Sequence, residues 1–360
     1  MKLCISNHGL RHSGGIERYA VTLVRGLHAL GVRPTVIAKA FDTTLPEYAW
    51  VDPIPISMAG VPAKLRDLYF DWRIRRLKQR RDVGPLIACN QTGAADIAIC
   101  GSTHPGYLAA MGRTASRSDG WKIALERAHL VNAQFIVAHS QRMAEEVQHF
   151  HGVGPEKIRL MYPPIDGDRF SPVPEPQRRQ LRADLNLPDD KAVFLLASTG
   201  HRRKGLDLLA DFFARTELPV CLVVVGRPVD IAAPHVRYLG YRNDIENVFR
   251  AVDFTLLASL YEPFGLVGVE SVLCGTPVVA AGNVGCAEVI RAPGQFAFTL
   301  DHPGSLGAAI EQAVAAWRTD THRIDDPLGA LGYDPSVSAH VGGLLDLAQQ
   351  VHARRAPSAT

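Results

Sequence analysis

Residues Glu262-Pro263-Phe264-Gly265-Leu266-Val267-Gly268-Val269-Glu270 set two carboxylates around a glycine, with seven residues between them. A helix beginning near Gly265 presents backbone N–H groups with no intrahelical partner. Helical side chains lean toward the N-terminus, so Glu270 reaches back toward the end where Glu262 stands. One carboxylate can then meet a reacting group while the other accepts hydrogen bonds from a diol such as a ribose. Gly265, Leu266 and Val267 would add backbone donors.

Two further stretches suit an anion. Thr199-Gly200-His201-Arg202-Arg203-Lys204-Gly205 follows an apolar run and precedes an amphipathic one. Neighbouring cations are costly to hold together unless an anion joins them; arginine grips phosphate oxygens bidentately and lysine adds a compact charge. Gly14-Gly15 lies after the first apolar run and opens a helical pattern. Glycine lets backbone N–H groups approach an anion at a helix N-terminus. The pattern is neither G-x-G-x-x-G nor a Walker A loop, and a tight strand-to-helix turn explains it equally well.

These loops need elements to hold them. Short apolar runs (residues 3–6, 35–38, 86–89, 97–100 and 135–138) alternate with helical patterns, as in a parallel sheet covered by helices. Pro163, Pro164, Pro172, Pro174 and Pro176 crowd one segment, which reads as a linker. The alternation then restarts, with strands expected at 193–197, 220–225, 236–239, 254–257 and 278–280 and helices at 206–214, 245–251 and 266–274. The expected fold is α/β, with two doubly wound domains, 1–165 and 166–340, facing across a cleft at the carboxyl ends of both sheets. Val341, Leu344, Leu345 and Val351 have helical spacing, so residues 341–360 should bring a helix back onto the first domain, with 357–360 fraying.

Bulk properties agree with such a two-domain fold. The chain has 360 residues, 47% hydrophobic and 21% charged, which exceeds what one core usually supports. A net charge of +3 gives no global argument for nucleic acid. Cys4, Cys89, Cys100, Cys221, Cys274 and Cys286 show no metal-ligand spacing and read as reduced core thiols. With neither a signal peptide nor a membrane span visible, a cytoplasmic location is expected.

Taken together, Gly14-Gly15, the Arg203-Lys204-Gly205 turn and the spaced glutamates resemble the retaining GT-B transferases of glycosyltransferase family 4. Ala138-His139-Ser140, Tyr162-Pro163-Pro164-Ile165-Asp166, Val224-Val225-Gly226, Leu239-Gly240-Tyr241 and Cys274-Gly275-Thr276-Pro277 extend the resemblance over nearly the whole chain. The Arg-Lys-Gly turn and the Asp244 context look closest to bacterial lipopolysaccharide-core glucosyltransferases. The resemblance implies a nucleotide-diphosphate sugar donor (UDP-glucose first, GDP-mannose second), a glycan or glycolipid acceptor, no metal and no cofactor. By position it implies that Gly14, Gly15, Arg203 and Lys204 hold the diphosphate, Glu270 the ribose, and Tyr241 and Arg242 the base. Glu262 would meet the sugar near its anomeric carbon, and His104 would lie beside it. Where many members carry a Gly-Arg pair this chain has Gly200-His201, which leaves phosphate contacts from His201 or Arg202 open. A nucleotide-sugar epimerase and a non-catalytic binding protein are the competing classes.

Other features read more plainly. Asp166-Gly167-Asp168 resembles a metal-binding pair but sits at the linker, where aspartates make turns. His149 and His151 read as surface residues. The run 64–81 interleaves Lys64, Arg66, Arg73, Arg75, Arg76, Lys78, Arg80 and Arg81 with Leu65, Leu68, Tyr69, Phe70, Trp72, Ile74 and Leu77. Such a segment suits either an anionic membrane surface or a domain helix with solvated charges.

Overall fold

The computed structural model describes residues 2–11, 14–80, 82–228, 233, 235–302 and 304–355. They divide into two compact units, the first comprising Met1–Pro164 with Pro335–Thr360 and the second Ile165–Asp334. The terminal residues expected to fray and Arg81 of the basic run lie outside the described residues.

The first unit runs β1 (Cys4–Leu10), α1 (Gly15–Ala29), β2 (Thr35–Phe41), β3 (Asp52–Pro55), α2 (Arg66–Arg80), β4 (Leu86–Ala88) and β5 (Ile97–Cys100). It continues through α3 (His104–Ala110), α4 (Arg117–Asn132), β6 (Phe135–Ala138), α5 (Gln141–His151) and β7 (Ile158–Leu160). The second unit holds α6 (Glu175–Asp184), β8 (Ala192–Ser198), α7 (Leu206–Arg215), β9 (Val220–Gly226), β10 (Val236–Tyr238), α8 (Ile245–Ala251) and β11 (Phe254–Leu257). It ends with α9 (Leu266–Leu273), β12 (Val278–Ala281), β13 (Gln295–Phe298) and α10 (Ser305–Arg318); α11 (Val337–Arg355) then closes the first unit.

Both sheets are parallel. Their orders are β3-β2-β1-β4-β5-β6-β7 and β10-β9-β8-β11-β12-β13. Central strands such as β4, β6 and β9 are buried along their whole length, which is why they read as unbroken apolar runs. Strand order reverses between β1 and β4 in one sheet and between β8 and β11 in the other. Loops leaving the carboxyl ends of strands at such a switch point are where open α/β sheets bind ligands. Gly14-Gly15 follows β1, the Arg203-Lys204 turn follows β8, and Glu262 follows β11.

Helix α11 belongs to the first unit's core. His340, Val341, Leu344, Leu347, Ala348 and Val351 are buried at three- and four-residue steps. A Cβ at Gly26 of α1 would lie 2.7 Å from Val337 and Val341, so only glycine permits this approach. The sequence does not announce β3, whose Pro53 and Pro55 argue against a strand; it is an edge strand, bonded to β2 alone.

Candidate functional site

In the second unit, two loops from the switch-point strands are bonded to each other. Leu260 N–H donates to the Arg203 carbonyl at 2.8 Å. Gly205 has φ +72°, and a Cβ there would lie 2.1 Å from the Ala258 carbonyl oxygen. Glycine is therefore required where the post-β8 turn passes over the post-β11 loop. The chain at Glu262 is also fixed from the other side: its carbonyl accepts from Gly285 N–H (3.1 Å), and Asn283 Nδ2 donates to the carbonyls of Ser259 and Leu260 (2.9 and 3.2 Å).

This scaffold brings charges together. Glu262 Oε2 lies 2.7 Å from Lys204 Nζ and accepts from Arg203 Nη1 at 2.8 Å and Ser259 Oγ at 3.2 Å. Burial by itself would raise the Glu262 carboxyl, but the adjoining Lys204 and Arg203 charges outweigh it and hold the group below its usual range. The anion that the paired cations require is thus already supplied by the protein. All three donors converge on one oxygen, and both cations keep further N–H groups for a ligand.

Around this cluster, Gly265 takes φ +91° as the residue before α9, and it has no side chain to cap the helix. The first-turn N–H groups, those of Leu266 and Val267 among them, lack intrahelical acceptors. Glu270 lies one turn in and is buried. Arg242 grips Asp244 with two bonds (2.9 and 2.6 Å), while Tyr241 is 72% exposed, a large surface for a planar ring to cover. His201 is engaged by the chain itself: Nδ1 lies 2.8 Å from Ser198 Oγ and Nε2 3.1 Å from the Pro228 carbonyl. Arg202 is exposed.

In the first unit, Gly14 precedes α1 and Gly15 begins it, both exposed; residues 12 and 13 of the loop lie outside the described residues. Among the described residues nothing lies within 4 Å of where a Gly15 Cβ would be. His104 opens α3 and is held at both ends. Its N–H donates to the Glu126 carboxylate (2.9 and 3.1 Å), and its Nε2 lies 2.7 Å from Asp119 Oδ1. Glu126 also meets His151 Nε2 at 2.8 Å and Gln91 Nε2 at 2.9 Å. His151 is accordingly buried, contrary to the surface position expected for it, because α5 packs its last turn against a carboxylate of α4; His149 is exposed. Neither Asp119 nor Glu126 stands out in the sequence, because their partners lie 15 or more residues away.

Elsewhere, α2 buries Phe70, Asp71 and Ile74 and turns Leu68 and Trp72 outward at 40% and 48% exposure. Arg73 and Arg76 lie over the rings of Tyr69 and Trp72, whereas Arg75 bonds Asp71. The Asp166 side chain accepts from Arg169 N–H at 3.2 Å, a turn contact. Among the described residues, no group of three or more His, Cys, Asp or Glu could hold a metal ion, and no helix is long and apolar enough to cross a membrane. All six cysteines are free and buried, and burial pushes the Cys4 and Cys89 thiols up to about 12.

Known proteins resemble this chain throughout. Residues 13–169 match Glycosyltransferase Family 4, and residues 190–316 match Glycosyl transferases group 1. A probable transglycosylase of Burkholderia thailandensis is 43% identical over 358 residues, covering 99% of each chain. The D-inositol 3-phosphate glycosyltransferase of Mycobacterium tuberculosis is 30% identical over 218 residues, 51% of this chain and 44% of that one. Among solved structures, WaaG, a glycosyltransferase involved in lipopolysaccharide biosynthesis, superposes with a TM-score of 0.73 at 16% identity, covering 99% of this chain and 100% of that one. HepE of Anabaena, solved with UDP and glucose, gives 0.70 at 18% identity, over 98% and 99% of the two chains. The architecture of the two parallel sheets and the full-length relative agree: the chain is a glycosyltransferase of family 4 with the GT-B fold.

Proposed function

We propose that this glycosyltransferase moves a hexose from a nucleotide-diphosphate sugar to a hydroxyl of a glycan or glycolipid, with retention and without a metal or other cofactor. The donor is UDP-glucose first and GDP-mannose second, and the product serves cell-envelope polysaccharide or lipopolysaccharide. The observation that carries this reading is the Lys204–Glu262–Arg203 cluster after the switch-point strands. The fold shared with HepE, which was solved with UDP and glucose, supports a sugar of that class.

In this scheme Glu262, pinned through Oε2, offers Oε1 to the sugar hydroxyls near the anomeric carbon. The remaining N–H groups of Arg203 and Lys204 hold the diphosphate, as do the backbone donors at Gly14 and Gly15. Gly265, Leu266 and Val267 donate from the start of α9, Glu270 takes the ribose diol, and Tyr241 and Arg242 flank the base. His104 lies beside the transferred sugar. The bond from the anomeric carbon to the phosphate oxygen breaks as the acceptor oxygen bonds on the same face. The acceptor's proton passes to the departing phosphate oxygen, whose growing charge the fixed cations stabilise.

Lys204→Ala and Glu262→Ala should each lower transfer by about 10²–10³ in a folded protein. Near-normal turnover by either variant would refute the assignment, and inversion at the anomeric carbon, read by NMR of the product, would refute retention. Activity abolished by a chelator would refute metal independence. We also propose that α2 touches the inner face of an anionic membrane through Leu68, Trp72, Arg73 and Arg76, since the helix meets the core with its other face.

A further inference from the structure

The carboxylate of Asp119 is seated before it meets His104. Ser116, the residue before α4, donates its N–H (3.0 Å) and its hydroxyl (2.6 Å) to Asp119 Oδ2, and takes the Asp119 N–H on its own oxygen at 3.2 Å. This capping box spends Oδ2 on two donors, within the first turn of a helix, where negative charge is favoured. Oδ1 is left for the imidazole at 2.7 Å, with Lys122 Nζ 3.9 Å away. The Ser116 hydroxyl, then its amide, then His104 hold the Asp119 carboxyl well below its usual range. An ionised carboxylate only accepts, so the ring nitrogen facing it must donate.

We propose that Asp119 is a positioning residue: it fixes the His104 ring with a proton on Nε2, so that Nδ1 is the nitrogen left for a hydroxyl of the bound sugar. The inference rests on the proposed place of His104 beside the sugar. The backbone of His104 is fixed independently by Glu126, so Asp119 governs the ring and not the position of the residue. His340 shows that the tautomer follows the partner. Its Nδ1 faces the Tyr162 carbonyl at 2.9 Å and must donate, which leaves Nε2 to accept from the Tyr19 hydroxyl at 2.7 Å. In His104 a carboxylate on Nε2 imposes the reverse.

The test is a double-mutant cycle on the full chain, with hydrolysis of UDP-glucose, or of GDP-mannose if that is the donor turned over, as the readout without acceptor. Asp119→Asn and His104→Ala should each lower kcat/KM by about 10- to 100-fold. Because Asp119 acts through His104, adding Asp119→Asn to His104→Ala should change the rate by less than about twofold. Losses that multiply would overturn the inference, for they would mean that Asp119 only ties α4 to α3. A normal Asp119→Asn beside a crippled His104→Ala sinks the inference alone; a normal His104→Ala sinks the reading beneath it. Nitrogen-15 NMR of the wild-type protein supplies a readout that needs no turnover: the His104 proton should sit on Nε2, and finding it on Nδ1 would overturn the proposal whatever the variants do.

Discussion

Gly205 and Gly15 both stand where a loop turns into a helix behind a switch-point strand, yet the chain needs them for different reasons. At Gly205 the fold itself demands glycine, through a positive φ and a carbonyl oxygen 2.1 Å from any added Cβ. That close passage is what brings Lys204 and Arg203 onto Glu262. At Gly15 the described structure leaves open space, and the nearest carboxylate, Glu17 Oε2, falls 3.0 Å from a Cβ imagined on Gly14. The second unit has thus built its charge arrangement internally, whereas the first keeps a helix start whose glycine answers to nothing described in the chain. In the proposed site, that room at Gly15 is what lets a diphosphate approach the helix start, where a side chain would block it.

The comparison breaks most readily at Gly205. Gly205→Ala should lose about 3 kcal/mol or more, from left-handed strain and overpacking together, in a denaturant titration. Wild-type stability would show that the loop can yield and that the fold does not set this residue.

Acid should separate the units next. Burial pushes His139 down to about 3 and His340 to about 4, from 6.5, so both are neutral in the fold while the unfolded chain takes up protons. Their contribution is complete above the unfolded value near 6.5 and drains away as pH falls, with about 3 kcal/mol at stake for His340. In the second unit burial would raise Asp253, but His322, Arg182 and Arg178 outweigh it and hold the carboxyl low. Its contribution is kept until pH drops below the ordinary carboxylate range. Hydrogen exchange at pH 5 should therefore find the core amides of the first unit losing protection before those of the second. Simultaneous loss would remove the distinction.

Gly15→Ala should leave stability within about 0.5 kcal/mol, because the added methyl meets nothing described, yet reduce transfer by roughly tenfold. Unchanged kinetics would mean that the open space serves no ligand. The smallest effect belongs to α2: reversing Arg73 and Arg76 to Glu should weaken pelleting with anionic vesicles by about 1 kcal/mol per cation removed. Equal pelleting would confine α2 to its role in the core.

Parts of this were legible in the sequence, for a physical reason in each case. Helix 245–251 and strand 254–257 have the same bounds in the structure, because buried parallel strands and their covering helices leave apolar runs of characteristic length. Helix α4 leaves no such mark in the sequence. It turns Asp119, Glu126 and His129 inward, so polar residues fill positions that an apolar stripe would mark. The glycines and glutamates proposed to hold the donor stand out by their spacing. That Glu262 is the counter-charge of Lys204 does not, since they stand 58 positions apart and only the passage over Gly205 makes them neighbours.

Helix α11 has a consequence for how the molecule comes into being. Its buried face includes Val341, Leu344 and Val351, and these share a core with Leu3, Leu23 and Leu27. A ribosome delivers those leucines before the second unit and their partners only after the whole second unit has emerged. The second unit, unbroken in sequence, can finish folding during synthesis. The first must wait, one side of its core uncovered, until α11 has emerged behind the second unit. The newborn protein therefore passes through a stage in which its first-made half is its least finished, and chaperone binding should concentrate there.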